Sequence, residues 1–316
     1  MRGCFPVMNG GDGVILSKRG DVCYGWEVEL PPAFRCNEER YDAIVQALFS
    51  AVTLLPDYTV VHKQDVYMKK KYVAEKSDGL LQEAYERHFD GREYLDHRCR
   101  LFLIFSSKKN VRGASSGLLG ISAGGSMPKA EALARYAAMA EQFATVVQGC
   151  GLLEMRRLTE DDIFGAGDFP GLIQDYLNFT DEGEDVLSDI QMRRDRVRTG
   201  DRYIGCHLIA DLDQLPAEVA SCRKVTSLST DSSAVNLSFL NEIGQELDCE
   251  HIVNHFILKE PQKDIHGELD TRRRQMLSMS ARSAENRMYS EELNEFLEET
   301  AMRKDGRMSD ICSLML

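Results

Sequence analysis

Gly120-Ile-Ser122-Ala-Gly124 fits the G-x-S-x-G nucleophile elbow, in which small flanking residues let a strained strand-to-helix turn expose a serine hydroxyl. His207, His251, His255 and His266 follow it, so a triad in the order Ser, Asp/Glu, His is open, with Ser122 as the nucleophile of a serine hydrolase. The surroundings favour a blander reading. The nearest upstream apolar run ends at Phe105, and residues 106–126 are rich in Ser and Gly without periodicity, as in a mobile loop.

Cys249-Glu-His251 with His255 has residue types that bind zinc. On a strand, Cys249 and His251 share a face, but His255 then lies about 13 Å further along. On a helix, His251 and His255 pair at i, i+4 while Cys249 points elsewhere. No single conformation unites the three, so ordinary sheet residues are the expectation.

Gly165-Ala-Gly167-Asp-Phe-Pro-Gly171 has the spacing G-x-G-x-x-x-G rather than the dinucleotide fingerprint, follows a helix-like segment, and contains Pro170. It reads as a turn. A P-loop needs G-x-x-x-x-G-K-[ST], whose backbone N–H groups and Lys hold phosphates. The dipeptide Gly-Lys occurs nowhere in the chain.

Arg193, Arg194, Arg196, Arg198 and Arg202 form a local positive patch next to the acidic break Asp181-Glu-Gly-Glu-Asp185. A solvated hairpin edge is expected, since charges blunt exposed edges; acidic lipid headgroups, DNA or an acidic partner are the alternatives. Arg272-Arg-Arg274 falls in the first turn of the last expected helix, against the dipole preference.

These residues depend on the elements that hold them. Asn9-Gly-Gly-Asp-Gly13 precedes Val14-Ile-Leu16, and a turn at Lys18–Asp21 leads to Val22–Leu30, where polar and apolar residues interchange; this reads as a hairpin stopped by Pro31-Pro32. Asn37 is placed to cap a helix carrying Ile44, Leu48, Ala51 and Leu55. A strand starts at Tyr58–Val61, a short polar helix covers Leu80–His88, and Arg100–Phe105 has the continuous apolar run of a strand buried on both faces. Pro128 suits the first turn of a long helix with the stripe Leu133, Ala137, Ala140, Ala144 and Val147, ended by Gly149 and Gly151. Leu152–Leu158 is the next strand.

Strand and helix do not alternate strictly, so the fold class is α+β, with mixed or antiparallel sheets packed against helices. The acidic break divides the chain into a subdomain at 1–180 and a second at 181–316. In the second, Tyr203–Ala210 and Val253–Leu258 read as strands, Ser227–Ser233 as a linker, and Leu269 to about Met302 as a long closing helix.

Composition narrows the function classes. The 316 residues hold 38 Lys and Arg against 51 Asp and Glu, a net charge of −13, which argues against a general nucleic-acid coat. Hydrophobic content of 43% rules out a disordered chain. No stretch approaches the roughly 18 apolar residues of a membrane helix, and Met1–Pro6 lacks the apolar core of a secretion signal. Nine cysteines scattered without paired spacing fit free thiols in a reducing, cytosolic compartment.

Several blocks resemble the N-terminal region of the TraG proteins of Bacteroides-type conjugative transposons, within the wider VirB/TrbE/CagE class of conjugation and type IV secretion ATPases. They are Trp26–Pro31, Leu55-Pro-Asp-Tyr-Thr-Val-Val-His-Lys-Gln-Asp65, Glu86–Phe89 with Tyr94–His97, and Arg156–Thr159, in family order, with looser similarity over Thr271–Phe296. The resemblance implies an assembly and interaction module of a conjugation ATPase at the cytoplasmic face of the inner membrane. Other channel subunits would be its partners, with self-association in the full-length protein, peripheral contact with the inner membrane and no direct nucleic-acid binding. It also implies that ATP and Mg belong to a C-terminal P-loop motor beyond Leu316, so the expectation is that this segment holds no cofactor and no catalytic, nucleotide-binding or metal residue.

Overall fold

The computed structural model describes residues 7–112, 128–173, 190–207, 222–279, 287–295 and 312–315, apart from 12, 33–34, 77–78, 167–170, 193, 195, 200–201, 206, 231–232, 239–246, 289–290 and 292. Its fold is α+β, with antiparallel sheets packed against helices.

Strands β1 (Val7–Gly11), β2 (Val14–Ser17) and β3 (Val22–Glu29) form an antiparallel meander. The interchange along β3 buries Val22, Tyr24, Trp26 and Val28 on one face, as a period of two requires. Between β1 and β2, Gly13 adopts φ +72°, and a Cβ there would lie 2.4 Å from the Leu158 carbonyl oxygen. Only glycine meets both conditions.

Helix α1 (Glu38–Thr53) starts where the sequence places it. The Asn37 side-chain oxygen accepts the Arg40 N–H at 3.2 Å, and Glu38 and Glu39 lie in the positive first turn. β4 (Thr59–Lys71) and β5 (Glu93–Phe105) pair along all 13 residues of each. Both run well past their apolar cores, because the outer halves are polar and satisfy each other's backbone. The connection between them carries α2 (Leu80–Phe89).

The stretch expected as a loop after Phe105 contains the short helix α3 (Lys108–Arg112); its remainder, with Ser122, lies outside the described residues. Helix α4 (Ala130–Gln148) buries Ala140, Phe143, Ala144 and Val147. Pro128 precedes this helix instead of opening it, since Lys129 is extended (φ −67°, ψ 155°) and occupies the cap. β6 (Glu154–Arg157) pairs with β3, and Thr159 forms a capping box with Asp162 at the start of α5 (Glu160–Phe164).

The break at 181–185 lies outside the described residues. Beyond it, β7 (Ile190–Met192), β8 (Val197–Thr199) and β9 (Arg202–Ile204) make a three-stranded sheet, so only the first residues of the expected Tyr203–Ala210 strand are seen as one. β10 (Arg223–Lys224) and β11 (Asn236–Leu237) pair across the Ser/Thr-rich linker. β12 (His251–Lys259) then pairs with β4 through residues 251–258. The main sheet therefore spans the expected division between 1–180 and 181–316, since β12 of the second part is bonded to β4 of the first.

Helix α6 (Gln262–Met279) begins at Gln262 rather than Leu269. Arg272–Arg274 consequently lie in its interior, and Asp270 pairs with Arg273 at 2.7 Å and Arg274 at 2.6 Å. The conflict with the dipole disappears. Of the expected helix from Leu269 to about Met302, residues 269–279 and the described residues 287–288, 291 and 293–295 are helical, and the last described element is a strand, β13 (Cys312–Met315), antiparallel to β12.

Among the described residues the main sheet has eight strands in the order β1-β2-β3-β5-β4-β12-β13, with β6 beside β3. One face is covered by α1 and α4, where Trp26 meets Phe143 (ring centroids 6.1 Å apart) and Phe105 stacks on Tyr136 (4.4 Å). Phe102, Leu158, Ile163 and Leu172 form a smaller core on the other face. No helix among the described residues is long and apolar enough to cross a membrane, and Cys23, Cys36, Cys99, Cys150, Cys222 and Cys249 are free thiols.

Candidate functional site

Alternation along β4 sends Val61, Lys63, Asp65 and Tyr67 to the face that α1 and α4 cover further along the sheet. The register sets Leu101, Cys99 and His97 of β5 beside Lys63, Asp65 and Tyr67, and sets His255, Val253 and His251 of β12 on their other side. The apolar core thus continues into a patch of ionisable groups shared by three strands.

Asp65 is its centre. His97 Nε2 donates to Asp65 Oδ1 at 2.8 Å, and the Lys63 ammonium pairs with Oδ2. The Lys63 and Asp65 side chains are 9% and 3% exposed. The Tyr67 ring is sandwiched between the imidazoles of His97 (4.5 Å) and His251 (4.4 Å), with planes within 7° and 15°. His255 is buried, and its Nε2 has no hydrogen-bond partner among the described residues.

Burial alone would raise the Asp65 carboxyl, but the His97 hydrogen bond and the Lys63 charge outweigh it and hold the group below its ordinary value. Burial pushes the Cys99 thiol up to about 12 and raises the Tyr67 phenol. Burial, assisted by Lys63, lowers His255 from 6.5 to about 4. The arrangement fits the holding of charge better than its turnover. Both Asp65 oxygens are engaged, and Cys99 stays a thiol at neutral pH, whereas a nucleophile must be the thiolate. What the patch can do is lock the registers of β4, β5 and β12 together.

His255 has a measurable consequence. Its folded-state value lies below that of the unfolded chain, so the unfolded state takes up the proton first as pH falls. The stability this histidine contributes is complete above about pH 6.5 and is lost progressively down to about pH 4, in total about 3 kcal/mol. His255→Leu is expected to flatten that loss in urea titrations run at several pH values. An unchanged slope in the variant would rule out His255 as its source.

The other residues singled out in the sequence are dispersed. Cys249 is exposed just before β12, and its carbonyl accepts His251 Nδ1–H at 2.7 Å. Among the described residues no three His, Cys, Asp or Glu side chains are placed to hold a metal ion. His207 is exposed, His266 lies on α6, and Ser122 is outside the described residues. Gly165 ends α5 with φ +84°, and a Cβ on Gly171 would fall 2.1 Å from the Gly165 nitrogen, so the two ends of the glycine-rich segment lie against each other, while 167–170, where the turn was expected, lie outside the described residues. In the arginine patch, Arg196 and Arg198 stack over the Tyr203 ring at 5.4 and 5.9 Å. Arg194 is exposed, Arg202 starts β9, and Arg193 is not described.

The blocks that carry the family resemblance fall mostly on neighbouring strands and bond to one another. Trp26 and Glu27 of β3 lie opposite Arg157 and Arg156 of β6. Arg156 bridges Glu27 and Asp162, and holds the Asp162 carboxyl down to about 2. Asp65 of β4 accepts from His97 of β5, whereas Glu86 of α2 accepts from Tyr72, outside the blocks, at 2.6 Å. Sequence reasoning passed over Lys63, Asp65, His97 and Cys99 as a site. The available signal was two opposite charges at alternate positions of an otherwise inward-facing strand, Val61-x-Lys63-x-Asp65. No protein-family model matches the chain, and no curated protein does.

Proposed function

We propose that this chain is the N-terminal assembly and interaction module of a conjugation (type IV secretion) ATPase of the TraG type, which energises DNA transfer of a conjugative element. The observation that carries the reading is the set of blocks at Trp26–Pro31, Leu55–Asp65, Glu86–Phe89 with Tyr94–His97, and Arg156–Thr159, which occur in family order. It is supported by the way those residues meet, in the pairs Asp65–His97 and Glu27–Arg156. Residues shared for this reason maintain a sheet that displays surfaces, as a binding module requires, and perform no chemistry of their own.

On this reading the chain contacts other channel subunits, self-associates as part of the full-length protein, and lies against the cytoplasmic face of the inner membrane. ATP and Mg act in a separate P-loop motor. Direct nucleic-acid binding is not expected of a chain with net charge −13.

The test is ATP hydrolysis by the 316-residue chain, compared with the same chain continued through the following codons of its gene. Turnover only in the longer protein is the expected result. Turnover by the shorter chain, or by neither, would overturn the reading.

A further inference from the structure

The small sheet β7-β8-β9 gathers positive charge in an acidic chain. Residues 190–204 hold five Arg against two Asp, a net charge of +3, whereas the whole chain carries −13 and the remainder therefore −16. The register sets Gln191 of β7, Arg198 of β8 and Tyr203 of β9 in one row, so their side chains share a face. Arg196 joins them, because its guanidinium and that of Arg198 both lie over the Tyr203 ring, at 5.4 and 5.9 Å. Arg194 and Arg196 are exposed, and Tyr203 is 58% exposed.

Protection of an edge does not account for this face. Charges blunt a sheet from its outer strands, but Arg198 lies on the middle strand, which is bonded to β7 on one side and to β9 on the other. A guanidinium stacked on an aromatic ring is held in place and keeps its N–H donors at its rim, where they suit the paired oxygens of a phosphate.

Shape and charge select the occupant. The strands have three residues each, which makes a platform about 10 Å on a side. A nucleic-acid strand is held by a long basic groove and by aromatic faces that receive its bases, and here the Tyr203 ring already lies under two guanidiniums. The phosphates of an anionic leaflet form a plane that such a platform can meet, and a tyrosine is at home at headgroup depth. The same leaflet repels the remaining −16 of the chain, so contact through this sheet also sets the orientation of the protein.

We propose that the face carrying Arg196, Arg198 and Tyr203 binds the headgroup phosphates of an anionic lipid leaflet. The proposal rests on the membrane contact in the conjugation reading and assigns the residues that make it.

Flotation of the full chain with phosphatidylglycerol/phosphatidylcholine vesicles tests it. Binding should rise with the phosphatidylglycerol fraction and fall at high salt. Arg196→Gln and Arg198→Gln should each weaken partitioning about fivefold, and the double variant about thirtyfold, with far-UV circular dichroism unchanged. Arg196→Lys with Arg198→Lys keeps the charge and should retain most of the binding. Lys109→Gln with Arg272→Gln removes two exposed positive charges elsewhere and should change partitioning far less. Absence of binding, equal binding to phosphatidylcholine alone, or equal losses in the two Gln double variants would each overturn the proposal. So would binding to a single-stranded oligonucleotide that the Arg196 and Arg198 variants abolish while vesicle binding survives, which would assign the face to nucleic acid. None of these measurements involves ATP turnover, so this proposal and the conjugation reading can fail separately.

Discussion

Asp65→Ala is expected to lower the free energy of unfolding by about 3–5 kcal/mol. The substitution leaves the Lys63 ammonium, 9% exposed, without its counter-charge inside the sheet and removes the acceptor of His97. Taking a charge out of water is costly, and in this fold only the Asp65 carboxylate offsets that cost for Lys63 at hydrogen-bonding distance among the described ion pairs. Lys63→Met combined with Asp65→Leu removes both charges and should recover most of the loss, because attraction and desolvation nearly cancel in a buried pair. Urea unfolding followed through Trp26, the only tryptophan and 2% exposed, measures both variants. A cost below about 1 kcal/mol for Asp65→Ala would mean that the pair is solvated and locks nothing.

Trp26→Ala is expected to cost about 3–5 kcal/mol, the range for truncating a large buried aromatic. Trp26 sits on the middle strand of the β2-β3-β5 ladder, and its ring meets Phe143 of α4, so the cavity would open between sheet and helix. Neither can close it alone, since β3 is bonded on both sides and α4 is held against α1. Trp26→Phe keeps a ring in the space and should cost much less. Circular dichroism must follow these variants, because the fluorophore is lost. Similar stabilities for Trp26→Ala and the unaltered chain would show that α4 does not depend on this contact.

These two effects act on different sources of the same stability. Trp26 works through apolar volume under α4, whereas Asp65 works through charge where the sheet extends past that volume. Helix α2 lies further out again, in the connection between β4 and β5. Loss of the charged lock is therefore expected to loosen the outer ends of β4 and β5 sooner than the Trp26 core.

Much of this architecture was legible in the sequence wherever the governing interaction is local. Asn37 announced α1 because a side-chain cap acts within three residues. The stripe through Ala140, Ala144 and Val147 announced α4 because a helix repeats its inner face every 3.6 residues. Leu101–Phe105 announced a central strand because both of its faces are covered, by Leu103 toward α4 and Phe102 toward Leu158. The candidate site was not legible in this way. Lys63 and Asp65 lie two residues apart, but only pairing with β5 brings His97 to Asp65, and only pairing with β12, some 190 residues later, brings His255 beside Lys63.

The start of α6 was misread for a related reason. Residues 262–268 have no continuous apolar stripe, and their helix propagates into Asp270 and the arginines that it pairs with. In α2 the apolar spacing of Leu81, Tyr85 and His88 is plain in the sequence, yet periodicity alone defines a stripe without saying which side meets the protein. The Tyr72–Glu86 bond made that choice and turned the polar side inward. The sequence by itself determined the α+β class, the caps and the apolar stripes, because those depend on neighbours within a few residues. Tertiary structure alone decided which charges meet inside the sheet and which apolar face is left outside, because registers between distant strands leave no mark on either strand read singly.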